Sequence, residues 1–231
     1  MTAPAWFVTG TDTGVGKTLL TQAWLLKLRD RHARVAGMKP VAAGAIPSTT
    51  LGADGPWDND DVVALREASS MQLPAALVNP YLLRAAVSPH IAARREGVVI
   101  ELARIVDACR ALRTQADAVL VEGAGGFRVP LSEHLDGSDL ALALGLPVLL
   151  VVGLRLGCLN HALLTAEAIA ARGLTLAGWV GNQIDPGMPE VAANVALLAD
   201  KLGAPCLGVV PWQAQPDPVA TAALLQLPVY A

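Results

Sequence analysis

Aromatic side chains are scarce in this chain. Phe, Tyr and Trp together make up 4% of it, so aliphatic residues and alanine must fill its interior. Cysteine is also rare. Cys109, Cys158 and Cys206 are scattered, with no CxxC or Cys/His spacing of a metal site. Buried thiols in a reducing cytoplasm are the reading this pattern supports. There is no excess of positive charge, and the formal net charge is −3. That argues against non-specific nucleic-acid binding, which needs a basic patch. There is no long hydrophobic run either. The most apolar stretch, residues 140–154, contains Gly145, Pro147 and Gly153. It falls short of the roughly 20 residues that a membrane helix needs, and it reads as a helix end, a turn and a buried strand. The N-terminus lacks the basic and apolar regions of a secretory signal. The expectation is a cytoplasmic protein with neither membrane nor nucleic acid as a partner. No internal repeat, low-complexity tract or domain linker is visible.

The 231 residues suit one α/β domain. Short, continuous apolar runs lie at 5–9, 35–39, 118–122, 148–152, 176–182 and 207–210. Such runs mark strands covered on both faces, as in a parallel sheet. Helical patterns alternate with them at 19–28, 99–112, 160–171 and 190–202. In the second, Leu102, Ile105, Val106, Cys109 and Leu112 share one face. This β-α-β-α order predicts a doubly wound, mainly parallel α/β sheet with helices on both faces. Residues 45–59, with Pro47, Gly52, Gly55 and Pro56, read as a long loop. Ser88 is placed to cap a helix with Pro89 in its first turn.

The most specific local signal is Gly10-Thr11-Asp12-Thr13-Gly14-Val15-Gly16-Lys17-Thr18. It sits between the first apolar run and a helical pattern, which is the order of a phosphate-binding P-loop. Backbone N–H groups of Gly14, Val15 and Gly16 would turn toward phosphate oxygens, and the helix N-terminus adds its dipole. Lys17 would neutralise the β- and γ-phosphates, and Thr18 would offer a hydroxyl to Mg²⁺. ATP and Mg²⁺ are thus the first ligands to expect. The loop is irregular, however. Five residues separate Gly10 from Gly16, where four are usual, and Thr11 takes the place of the usual glycine.

Further elements could carry chemistry. Glu122 closes an apolar run and is followed by Gly123, Ala124, Gly125 and Gly126, the setting of a Mg²⁺-coordinating carboxylate in P-loop proteins. Lys39 follows the second run, where open α/β sheets bind ligands. It reads either as a second phosphate-side cation or as a solvated strand-end lysine. The cluster Asp58-Asn59-Asp60-Asp61 reads either as a capped, acidic helix start or as the source of a Mg²⁺ ligand. Gly157, Cys158, Leu159 and Asn160 open a helix whose free N–H groups could hold a carboxylate. Asn182, followed by Gln183, ends a strand and could meet a purine edge, or could simply make a turn.

Together these segments resemble the dethiobiotin synthetase family. The resemblance is carried by residues 10–18, Lys39-Pro40-Val41, Val121-Glu122-Gly123-Ala124-Gly125-Gly126 and Leu156-Gly157-Cys158-Leu159-Asn160-His161. Val78-Asn79-Pro80-Tyr81, Ser88-Pro89-His90 and Leu176-Ala177-Gly178-Trp179-Val180 add to it. The match spans nearly the whole chain, and the stretched loop is the family's own form. The resemblance implies ATP-dependent ring closure of 7,8-diaminopelargonate with CO₂ to dethiobiotin, in biotin biosynthesis. It implies Lys39 and Lys17 as catalytic residues, and Thr18, Asp61 and Glu122 as Mg²⁺ ligands. Nucleotide contacts would come from residues 14–18, Gly123, Ala124, Gly125, Asn182, Gln183, Val210, Pro211 and Trp212. Substrate contacts would come from Thr13, Lys39 and Ala43, and from Gly157, Cys158, Leu159 and Asn160 of the other subunit of a homodimer. One departure is visible. The family carries Ser where this chain has Ala43, so a hydroxyl must be lost or supplied elsewhere, with Thr49 and Thr50 as possible sources.

Two other classes fit the P-loop alone. A P-loop ATPase switch would carry an extra lysine early in the loop, where Thr11, Asp12 and Thr13 stand. An amidotransferase synthetase would need an ammonia-delivering domain, for which the chain is too short.

Overall fold

A computed structural model describes residues 3–48 and 56–229. In chain order its elements are β1 (Ala5–Gly10), α1 (Lys17–Leu28), β2 (Val35–Met38), β3 (Val41–Ala43), β4 (Ile46–Pro47), β5 (Trp57–Asp58), α2 (Asp60–Ala68), α3 (Ala75–Val78), β6 (Tyr81–Leu83) and α4 (Pro89–Glu96). There follow α5 (Leu102–Gln115), β7 (Ala118–Gly126), α6 (Gly137–Leu144), β8 (Val148–Leu154), α7 (Cys158–Ala171), β9 (Leu176–Gln183), α8 (Val191–Lys201), β10 (Cys206–Val210) and α9 (Pro218–Leu224). Six strands form a parallel sheet in the order β10-β9-β8-β1-β7-β2. All six expected strands are present.

The strands are mostly apolar because helices cover both faces. Alternation with period two sorts their side chains. Ala5 and Phe7 of β1, with Val119 and Val121 of β7, enter a core that includes Ile105 and Leu112 of α5. Trp6 and Val8, with Leu120, Leu149 and Val151, enter the opposite core with Leu20 and Trp24 of α1. A third core joins Leu150 and Val152 to Trp179, Ala162 and Leu198.

The topology positions the site. From β1 the chain goes to β2 and returns to β7 on one side, then crosses to β8 on the other. The change of side falls at β1, so the crevice opens at the carboxyl end of the strand that feeds the P-loop.

Local details differ from the sequence expectations. Glu122 lies within β7, which runs on through a left-handed Gly125 (φ 56°) to Gly126, paired with Gly10. The stretch 45–59 contains the β4–β5 pair, in which Ile46 faces Asp58; Thr49, Thr50, Gly52 and Gly55 lie outside the described residues. Ser88 stands at the N-cap of α4, but its side chain makes no capping bond. The helix expected from 160 begins at Cys158, and that expected from 99 begins at Leu102. Glu190 is the cap residue of α8 with φ 53°, so that helix starts one residue later than expected.

Candidate active site

The P-loop runs from β1 into α1, with Gly16 as the left-handed cap at φ 88°. A side chain at Gly16 would strike the amide of Asn182, so glycine is required for space as well as for conformation. Asn182, on β9, donates from Nδ2 to the Val15 carbonyl at 2.9 Å and thereby holds the loop from the neighbouring strand. It pairs in register with Val210 of β10. Exposed Pro211 and Trp212 follow Val210 directly. Gln183 donates to the Asp185 carbonyl.

Lys17 is buried, and its Nζ donates to the Asp12 carbonyl at 2.9 Å. Burial, reinforced by the nearby Lys39 cation, lowers its pKa to about 8. Lys39 follows β2 directly. Its N–H donates to the Val78 carbonyl and its carbonyl accepts from Asn79 Nδ2, so its backbone is pinned from both sides. Its ammonium lies 2.5 Å from Glu122 Oε1 and 2.7 Å from Asp61 Oδ2. Burial works against the charge on Lys39, but Glu122 and then Asp61 outweigh it and raise the pKa. Asp61 is lowered in turn: burial opposes its ionisation, but Lys39 and Thr18 favour it more strongly.

Asp61 reaches the site because of how α2 begins. Asn59 caps that helix, accepting from the Asp61 and Val62 N–H groups, and donates to the Gly44 carbonyl. Asp58 is occupied by Arg66 at 2.8 Å, and Asp60 is exposed. Only Asp61 of this acidic cluster meets Thr18, whose hydroxyl donates to Asp61 Oδ1 at 2.8 Å and contacts Glu122 Oε1 at 3.0 Å. Capping and site-building therefore coexist, carried by different residues. Glu122 is fully buried, and its Oε2 has no hydrogen-bond partner among the described residues.

Of these groups, Lys39 and Asp61 line a cavity of about 450 Å³. Thr13, Ala124 and Gly125 line it as well, as do Ala43, Val87, Ser88 and Pro89. Gly157, Cys158, Leu159 and Asn160 do not line it. Cys158 is buried, whereas Leu156, just before the helix, is 91% exposed.

A model of the family described as AAA domain matches residues 5–220. ATP-dependent dethiobiotin synthetase BioD of Aromatoleum aromaticum is 55% identical over 229 residues, covering 99% of this chain and 100% of the relative. The protein of the same description from Ralstonia nicotianae is 58% identical over 211 residues, covering 91% of this chain and 90% of the relative. The chain belongs to the ATP-dependent dethiobiotin synthetase family. Among solved structures, the MinC:MinD cell division protein complex of Aquifex aeolicus is similar in fold, with a TM-score of 0.55, 17% identity, and 92% of this chain and 82% of that chain covered.

Some contacts around these residues were not expected from the sequence. Arg155, in the turn after β8, pairs with Asp12 of the P-loop at 2.7 Å. Asn79 fixes Lys39, and its Asn-Pro step was the available signal for a turn. Ser88 contacts His90 rather than capping its helix, which no local pattern signals. No helix of the described residues is long and apolar enough to cross a membrane.

Proposed function

We propose that this ATP-dependent dethiobiotin synthetase closes the ring of 7,8-diaminopelargonate with CO₂ through a carbamate and a carbamic–phosphoric mixed anhydride, releasing ADP and phosphate. The observation that carries this reading is the convergence of Lys39, Thr18, Asp61 and Glu122 beside a cavity lined by both charged and apolar side chains. An amine attacks CO₂, the carbamate oxygen takes the γ-phosphoryl group, and the second amine attacks the carbonyl and expels phosphate. Negative charge gathers on oxygens beside these groups throughout. Lys17 and Lys39 are the cations of this chain that meet it, and a preorganised charge in a dry site is worth most where charge develops. The P-loop N–H groups, with Gly123, Ala124 and Gly125 nearby, hold the triphosphate, while Asn182, Gln183, Val210, Pro211 and Trp212 surround the base.

The donors present suit Mg²⁺, which takes one or two carboxylates together with phosphate oxygens and water. Thr18, Asp61 and Glu122 supply a hydroxyl and two carboxylates, and Glu122 Oε2, without a hydrogen-bond partner among the described residues, leaves a buried oxygen for a cation. When bound there, Mg²⁺ would neutralise charge on the β- and γ-phosphate oxygens.

The aliphatic chain of the diamine would lie along Ala43, Val87 and Pro89, with Thr13 and Lys39 at the reacting amines. Its carboxylate would be taken by the helix start at Gly157, Cys158, Leu159 and Asn160 of a second copy. That these residues do not line their own chain's cavity, and that Leu156 is so exposed, supports a homodimer with shared sites. On this reading residues 1–231 act as one P-loop domain in the cytoplasm. Isotopically labelled bicarbonate tests the chemistry. The label should appear in the urea carbon of the product, and product without label would overturn the proposed route.

A further inference from the structure

The cavity holds a hydroxyl that the reaction has not yet used. Ser88 lines it, as does Ala43, the position where a hydroxyl is missing. A serine at a helix N-cap ordinarily accepts from backbone N–H groups one turn on. Ser88 does not: its side chain makes no capping bond. Its Oγ instead lies 2.9 Å from Nδ1 of His90. The backbone conserves the helix start without it, since the Ile91 and Ala92 N–H groups both donate to the Ser88 carbonyl. The hydroxyl is thus released from helix duty and held by an imidazole at the edge of the cavity.

We infer that Ser88 supplies this enzyme's substrate-facing hydroxyl and that His90 is the positioning residue that orients it. The inference rests on the reading that the cavity takes 7,8-diaminopelargonate. With His90 protonated on Nε2, Ser88 donates its proton to Nδ1, and the oxygen lone pairs are left for donors in the cavity. An amine is such a donor, whereas the apolar side chains of Ala43, Val87 and Pro89 offer it nothing. A side chain that is free to rotate would have to be ordered on binding; one fixed by His90 is not.

Calorimetric titration of the full-length protein with 7,8-diaminopelargonate tests this, with ATP titrated separately. Ser88→Ala should weaken diamine binding about five- to tenfold, the size of one hydrogen bond, and leave ATP binding unchanged. His90→Phe should weaken it similarly, the double variant should be no worse than either single one, and His90→Asn, which keeps an acceptor near Nδ1, should restore most of the loss. Wild-type diamine affinity in Ser88→Ala or in His90→Phe would overturn the inference alone, as would additive losses in the double variant or failure of His90→Asn to rescue. If His90→Phe does not fold, the comparison of Ser88→Ala with Ser88→Thr decides in the same way. A wild-type protein that binds ATP but not the diamine would overturn the substrate reading and this inference together.

Discussion

Lys39 Nζ lies 2.5 Å from Glu122 Oε1, and both side chains are almost fully buried. The pair joins the end of β2 to the middle of β7, and it lies where Thr18 and Asp61 also meet. Such a pair contributes modestly to stability while intact, but removing one partner is costly because the buried charge that remains loses a contact.

Lys39→Gln keeps a donor for Glu122 but removes the cation. Turnover should fall by about 10²–10³, the usual cost of deleting one preorganised stabiliser. ATP affinity measured by calorimetry should change little, because the P-loop is untouched.

Glu122→Ala removes the more deeply buried of the two carboxylates that face the Lys39 ammonium and leaves it Asp61 alone. Denaturant unfolding should show a loss of about 3–5 kcal/mol. Glu122→Gln preserves the shape and should unfold closer to wild type, but its ATP turnover should no longer respond to added Mg²⁺.

Gly16→Ala places a Cβ against Asn182 and forces a left-handed alanine. The conformation alone costs about 1–2 kcal/mol. Fluorescent-nucleotide titration should show lost ATP binding, and the denaturation midpoint should fall.

Burial pushes the Cys109 thiol up to about 11, against the smaller opposing pull of Arg113 and Arg110. Alkylation of the native protein followed by mass spectrometry should reach half-buried Cys206 well before Cys109. The folded thiol keeps its proton to about 11, whereas an unfolded one ionises near 9.0. The unfolded state therefore binds fewer protons within that window, and the contribution of Cys109 to stability is full below pH 9.0 and lost as pH rises toward 11.

Much of this was legible in the sequence because it is local. Apolar runs such as 148–152 mark strands covered on both faces, and the P-loop follows from residues next to one another. Lys39 and Glu122 could be placed at one end of the sheet because parallel strands end together. What escaped depends on contacts distant in sequence. Asp12 and Arg155 are 143 residues apart and meet only because β8 lies beside β1. The β3–β6 pair rests on three-residue strands too short to show a period. The capping box of α6, Asp136 with Asp139, did carry a local signal. That Asp61, rather than Asp58 or Asp60, meets Thr18 depends on Asn59 capping α2 and on Arg66 taking Asp58.

The central claim is that the terminal phosphoryl group of ATP goes to a carbamate built on the diamine. Phosphate release measured with ATP, Mg²⁺ and bicarbonate, with and without 7,8-diaminopelargonate, tests it most directly. The account predicts release only when the diamine is present, with one phosphate for each urea ring formed. Equal release without the diamine would contradict it and would make the protein an ATPase of another kind.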